Sequence, residues 1–323
     1  MQVAPAWSDT TFACMGSTAR LLILGGPNAL PDHARRRLLE LEARWSRFIP
    51  SSELCRLNAA AGAPVVVSAD TFAVIELAVS AWRATGGRFD PTVLDALELA
   101  GYDRDFGEMA ASPTDETVPA TSRAAGNPTP GCGDIELDPL VPAIRLPHRV
   151  HLDLGGIGKG HAADVLVAEL LDAGADGVCV NLGGDVRVAG VAPDAAGWQV
   201  DLDPALTPSS EPARSFRLGA GAVATSTRLR RRWTRAAAPQ HHIIDPGTSR
   251  PAWSGLATVT ALADRAAWAE MLAKSAFVAG PVGGAELLRV HHVTGLFVHD
   301  DGQVEELGGL DAFLVPSPPM SRA

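Results

Sequence analysis

The sequence predicts an α+β fold, with mixed or antiparallel sheets and helices rather than a doubly wound parallel sheet. Three observations predict it. Helical periodicity dominates the first third of the chain, and strand-like apolar runs dominate the second half. Helices and strands are mixed without regular βαβ alternation, and no segment repeats.

Arg20 to Leu24, "RLLIL", has the apolar density of a short buried strand and is closed by "GGPN". From Pro31 the period becomes helical, with Leu38, Leu39, Leu41 and Trp45 grouped on one face and Arg and Glu on the other. "SADTFAVIELAVSAWRATGG" is a second helix: Ser and Asp signal its start, Phe72, Ile75, Val79 and Trp82 form its apolar face, and glycine stops it. Residues 107–147 are rich in Pro, Ala, Thr and Gly and predict a flexible excursion in which "DIELD" and "AIRLP" pair as short strands. Residues 203–214 predict a second loop of similar character. Strand-like runs follow in "GVCVNLGGDVRVAG", "WQVDL", "GAVATS", "ATVTALA" and "TGLFVHDDGQV", while "DRAAWAEMLAKSAFVAG" predicts a helix ended by glycine.

With 323 residues, 46% hydrophobic and 20% charged, the chain can bury a sizeable core as one large domain or as two lobes. A net charge of −10 argues against nucleic acid or an anionic membrane as partner. The basic run "RLRRRW" at residues 228–233 is short and local, and is read as a solvated strand face or a patch steering an anionic ligand or acidic partner. Cys14, Cys55, Cys132 and Cys179 lie far apart with no CxxC, which predicts reduced thiols rather than a disulfide framework or a zinc site. The first 24 residues carry neither a basic n-region nor a continuous apolar stretch, and no run reaches the roughly 18 apolar residues of a membrane span. A cytoplasmic protein with no membrane segment is the expectation, unless the start is mis-set and omits an export signal.

The densest chemistry lies in "HLDLGGIGKGHAAD", residues 151–164. A Walker loop needs glycine five positions before the Gly-Lys pair and Ser or Thr after the lysine, but Asp153 and Gly160 stand there. The spacing of Gly156, Gly158 and Gly160 also fails the dinucleotide fingerprint. Glycines still let backbone N–H groups approach an anion, and "GHAADVLVAELLDAG" is a helix beginning just after them. A purely structural glycine turn explains the loop equally well when it is taken alone.

Its company is more specific. "LDLGGIGKGHAAD", "VNLGGDVRVAG", "ATST" and "HIIDPGTSRP" follow one another, preceded by "CMGSTARL", "SSELCRLN" and "TGGRFDPTV". In that order they resemble the FAD:protein FMN transferases, the ApbE family, over about residues 12–280. The resemblance implies the α+β flavin-transferase fold: one domain over residues 1–323, of two intertwined lobes with an FAD cleft between them. It implies a transferase that cleaves the pyrophosphate of FAD and attaches FMN to a Thr or Ser hydroxyl of an acceptor flavoprotein, releasing AMP. FAD is then the donor substrate.

The resemblance also assigns residues. His242 matches the family histidine before the Asp-Pro turn, and a near-neutral histidine suits removal of the attacking hydroxyl's proton. Adjacent His241 remains open as a surface residue or a substitute. Asp245 and Pro246 are read as the turn itself. Met15, Asn58, Arg88, Phe89, Asp90, Asp153, Lys159, Thr225, Ser226 and Ile244 match FAD-contact positions. Thioether and aromatic groups suit flat rings, and Asp and Asn suit ring or ribose hydrogen bonds.

One position departs from the pattern. The family binds Mg²⁺ through an Asp, a Thr four residues later on a helix, and a loop carbonyl matched here by Gly156. This chain places Glu270 and Lys274 at the first two, and a milder change puts Ser249 where glycine is frequent. Glu270 and Lys274 share a helix face and are expected to pair. A charged lysine has no lone pair for a metal. Either Lys274, held by Glu270, takes the metal's place, or the site has lost transfer; the alternative function is a non-catalytic FAD-binding protein or an FAD pyrophosphatase.

Overall fold

The computed structural model describes residues 7–111, 127–208 and 214–315. Its centre is an eight-stranded sheet: β1 (Trp7–Cys14), β2 (Ser17–Leu24), β3 (Gly177–Leu182), β4 (Asp185–Gly190), β5 (Gly221–Thr227), β6 (Leu256–Ala263), β7 (Thr294–His299) and β8 (Val304–Leu307). The strands lie in chain order across the sheet and every neighbouring pair is antiparallel. "RLLIL" is the buried end of β2, with Leu21 and Ile23 at 0% and 2% exposure. "GVCVNLGGDVRVAG" is the β3–β4 hairpin. Its two-residue turn puts Gly183 at φ 65° and Gly184 at φ 102°, a left-handed pair that glycine adopts without a Cβ clash.

Long insertions between these strands build the rest. Between β2 and β3 come α1 (Leu30–Trp45), α2 (Glu53–Asn58), α3 (Ala69–Ala84), α4 (Leu94–Leu99), α5 (Phe106–Ala111) and α6 (Gly158–Asp172). In α1, Leu38, Leu41 and Trp45 are buried as the period predicts, but Leu39 is not. One residue on from Leu38, it is rotated about 100° off the apolar stripe and faces solvent. Ser68 caps α3 by accepting from Thr71 N–H, and Phe72, Ile75 and Val79 are buried while Trp82 is half-buried. "DIELD" and "AIRLP" do pair, Glu136 opposite Arg145 and Asp138 opposite Ala143, with Val65–Val66 as a third strand. The rest of the expected excursion at 112–126, and residues 209–213 of the second loop, lie outside the described residues.

Helix α7 (Ala266–Val290) joins β6 to β7. The predicted glycine stop is real: Gly280 at φ 74°, followed by Pro281, breaks it into two helical pieces. α6 packs on β3 and β4, and α7 on β5 and β6, so the two helices lie side by side over the middle of the sheet. The opposite face packs Val186, Val188, Val223 and Leu296 against Trp198 and Phe216 of a separate hairpin. Among the described residues no helix is long and apolar enough to cross a membrane, and all four cysteines are free.

Candidate functional site

The β1–β2 turn, the end of α1, residues 88–90, the glycine loop, the β5–β6 insertion and α7 converge on one cleft, with about 1460 Å³ of space including its open mouth. The glycine loop forms its floor and is fixed from behind. Asn58 Nδ2 donates to Leu152 O at 2.9 Å, and Asn58 Oδ1 accepts from Leu152 N–H at 2.8 Å. Asp153 Oδ1 accepts from Gly155 N–H at 2.8 Å, and its Oδ2 pairs with Arg47 Nε at 2.9 Å. The helix predicted after the glycines starts among them, at Gly158.

That start is possible because α6 and α7 cap each other. Glu270 Oε2 of α7 accepts from Gly160 N–H at 2.8 Å. Asp164 of α6 accepts from Ala266 N–H at 2.9 Å and Ala267 N–H at 3.0 Å, the first turn of α7. Carboxylates at helix N-termini satisfy orphan donors and meet the positive end of the macrodipole. A Cβ on Gly160 would lie 2.5 Å from Ala266 O, so only glycine permits this approach.

The charges in the floor are arranged differently from the sequence expectation. Glu270 does not pair with Lys274. Its Oε1 accepts from Lys159 Nζ at 2.9 Å, and Lys159 also bonds Asp185. Glu270 is buried at 4% exposure, and so is Asp185 at 3%. Burial works against the Lys159 ammonium, but the two carboxylates override it and hold its pKa above the ordinary value. Burial pushes the Asp185 carboxyl up, with Lys159 pulling it back. The i,i+4 rule fails here because Lys274 extends toward the cleft, where its Nζ donates to Gly155 O at 3.3 Å. Burial draws the Lys274 pKa below its ordinary value, with the Glu270 charge opposing the shift. A Cβ on Gly156 would come within 2.5 Å of the Lys274 ammonium and 3.1 Å of the Phe89 ring.

These residues do not fit a divalent cation of the family's kind. Both Glu270 oxygens already accept hydrogen bonds, and the Lys274 ammonium stands at the Gly155 carbonyl. Among the described residues no three His, Cys, Asp or Glu side chains gather to hold a metal.

The two histidines separate cleanly. His241 is buried at 1%, its Nε2 against Ala252 O at 3.0 Å and its Nδ1 accepting from Ile243 N–H at 3.3 Å, so both nitrogens are committed to the fold. His242 lines the cleft, and its buried Nδ1 has no partner among the described residues. Burial, with Arg231 and Lys274 nearby, holds the His242 pKa well below its ordinary 6.5, leaving a neutral imidazole. The neighbouring turn is structural, Asp245 accepting from Gly247 N–H at 2.9 Å and from Thr248.

The opposite wall is aromatic and cationic. The Arg47 guanidinium lies 4.2 Å from the Phe48 ring centroid and 4.6 Å from that of Tyr102, and its NH2 donates to Tyr102 O. Such a wall suits a flat conjugated ring, and the cations beside it suit phosphate.

Of the residues assigned by resemblance, Met15, Arg88, Phe89, Asp90, Asp153, Gly156, Lys159, His242, Ile244 and Lys274 line this cleft. Four do not. Asn58 clamps the Leu152 backbone, and Glu270 lies beneath Lys159. Thr225 meets Thr260 across β5 and β6 at 3.0 Å, and Ser226 is buried in β5. Met15 sits at φ 52°, anchored by its N–H on Glu42 Oε1 at 2.7 Å. Sequence reasoning missed Glu42, Arg47, Phe48 and Tyr102, and left Arg231 as one of a basic run. The signals were thin: the only tyrosine in the chain, and an arginine inside "RLRRRW".

The chain as a whole resembles known proteins. The chain is 31% identical over 276 residues to the FAD:protein FMN transferase of Treponema pallidum, covering 80% of this chain and 74% of the relative. It is 26% identical over 296 residues to the FAD:protein FMN transferase of Vibrio cholerae, covering 89% and 86% of the two chains. The crystal structure of the ApbE protein from Thermotoga maritima superposes with a TM-score of 0.82 at 25% identity, covering 95% of this chain and 99% of that one. The sequence profile of the ApbE family matches residues 15–297, and the chain belongs to that family.

Proposed function

We propose that this chain is an FAD:protein FMN transferase, taking FAD as donor and a Ser or Thr hydroxyl of an acceptor flavoprotein as acceptor. The observation that carries the reading is His242: a neutral imidazole with an uncommitted nitrogen, in a cleft that also presents Lys274 and Arg231. A neutral histidine beside cations can take a proton while those cations hold the phosphates.

In the reaction the acceptor oxygen bonds to the flavin-side phosphorus, and the bond from that phosphorus to the bridging oxygen breaks. AMP leaves with the bonding electron pair. The hydroxyl proton passes to the imidazole of His242. Arg47, Phe48 and Tyr102 offer a stacking wall for one of the two ring systems of FAD, and Lys274 and Arg231 face the pyrophosphate. The floor holds Lys274 in place through Gly155.

The buried Lys159–Glu270–Asp185 cluster supports catalysis over the alternative of a flavin-binding relative without chemistry. Glu270 has been rebuilt into a satisfied network with Lys159 and Asp185, and Lys274 is left facing the cleft, where a cation can serve phosphate. The test incubates the full chain with FAD and an FMN-binding acceptor domain, reading acceptor mass and AMP release. An FMN-sized adduct, reduced by about 10²-fold or more in His242→Ala, is the expected result. FAD bound with no adduct and no AMP would overturn the transferase reading.

A further inference from the structure

The cleft floor contains two lysines with different circumstances. Lys159 is neutralised by Glu270 and Asp185. Lys274 is half-buried, and its Nζ meets a neutral carbonyl, Gly155 O at 3.3 Å. Glu270, Asp153 and Asp185 act on its charge through space, but among the hydrogen bonds and ion pairs of the described residues no carboxylate holds it. It faces the cleft that Gly155, Gly156 and His242 also line. Gly156 leaves room for the ammonium that any Cβ would take away.

We propose that Lys274 Nζ supplies the fixed positive charge at the pyrophosphate, so that FAD binding and FMN transfer by this chain proceed without a divalent cation. The inference rests on the transferase reading only for its second half, because FAD binding is tested separately. During transfer Lys274 stays protonated, its ammonium favoured by the adjacent phosphate charge. The acceptor O–P bond forms, the P–O bond to AMP breaks with the electron pair leaving on AMP, and the proton goes to His242. The ammonium is matched to the negative charge that shifts from the flavin-side phosphate to AMP. As a single charge it stabilises that shift less than a divalent ion would, so a slow but metal-indifferent enzyme is expected.

The physical logic is one of exclusion by charge. A divalent ion at the Gly155 carbonyl meets the Lys274 ammonium at bonding range and finds Glu270 already bound on both oxygens. Adding metal therefore displaces existing hydrogen bonds instead of filling an open set of ligands.

The experiment uses the full chain in two buffers, one with excess Mg²⁺ and one with EDTA. FAD affinity is measured by quenching of flavin fluorescence, and FMN transfer by acceptor mass. The wild type, Lys274→Met and Lys274→Arg are compared. The expected result is wild-type FAD affinity and transfer equal in both buffers within about 2-fold. Lys274→Met should weaken FAD by about 10-fold, the size of one lost charge-assisted contact, while Lys274→Arg retains most of it. Wild-type FAD binding or transfer that collapses in EDTA and returns with Mg²⁺ overturns the proposal. So does a Lys274→Met variant that binds FAD as tightly as wild type. If no adduct forms in either buffer, the transferase reading fails on its own, and the FAD titrations still decide the role of Lys274. A Lys274→Met chain that does not fold leaves the wild-type buffer comparison and Lys274→Arg to decide it.

Discussion

Glu270 distinguishes two pictures of this site most sharply. If it were a metal ligand, replacing it would alter metal dependence and leave the apo protein nearly as stable. In the structure it instead accepts from Lys159 Nζ and from Gly160 N–H while 4% exposed. Glu270→Gln keeps its shape but turns an amide NH2 toward one of two donors, so one charge-assisted bond is lost, about 2–3 kcal/mol. Lys159→Met strands two buried carboxylates and should cost about 3–5 kcal/mol. In the double variant the introduced amide no longer needs the ammonium and its oxygen still serves Gly160, so the costs should fall short of their sum by about 2 kcal/mol. Urea unfolding of the metal-free protein, followed by tryptophan fluorescence in EDTA, measures all three. Additivity within about 0.5 kcal/mol, or a Glu270→Gln midpoint equal to wild type, would refute the argument.

Four further outcomes are expected. Because burial and neighbouring cations depress His242, the transfer rate should hold steady as pH falls from 7.5 to 6; an acid midpoint at or above 6.5 in the rate profile would sink the neutral-imidazole assignment. Stability should move the other way. His161, His241 (down to about 4) and His242 are all depressed by burial. Below about pH 6.5 these three sites bind more protons in the unfolded chain than in the folded one, and each removes up to ~1.4 kcal/mol per pH unit until its folded pKa is reached. Asp185, pushed up to about 6 by burial, offsets one of them below that pH. A flat urea midpoint between pH 7 and 5 would contradict this. Asn58→Leu breaks two bonds to the Leu152 backbone and should lower the apo melting temperature by roughly 5 °C, from about 2–3 kcal/mol; an unchanged melt with lost FAD affinity would return Asn58 to the flavin. Arg47→Lys removes a planar group stacked on Phe48 and Tyr102 and should weaken FAD about 5-fold, measured by the same fluorescence titration.

The α+β class, both long helices of the first third and the glycine stop in α7 were legible because each rests on a local period or a local breaker. The cleft was legible through the order of its motifs, which brought Met15, Phe89, Asp153 and His242 to one place. What stayed hidden depends on partners distant in sequence. The i,i+4 rule sees Lys274 beside Glu270, but the ion pair that forms is with Lys159, 111 residues away. Arg47 meets Asp153, and Trp233 Nε1 meets Ala100 O across 133 residues. Thr225 and Ser226 illustrate the other side: the motif is in register, but Thr225 bonds Thr260 of β6 and Ser226 is buried, so neither lines the cleft.

The reciprocal capping of α6 and α7 also fixes when the cleft can come into being. Its closing bonds join residues 102 to 119 positions apart: Gly160 to Glu270, Asp164 to Ala266, Gly155 to Lys274. Contacts of such span form late, after the loops between them have been closed. A nascent chain that has emerged only as far as β5 has its glycine loop and the Asn58 and Arg47 contacts behind it, but neither the Glu270 cap on Gly160 nor the Lys274 cation that faces it. FAD can therefore act as a lock on the finished protein, slowing its unfolding, and not as a template around which the first half gathers.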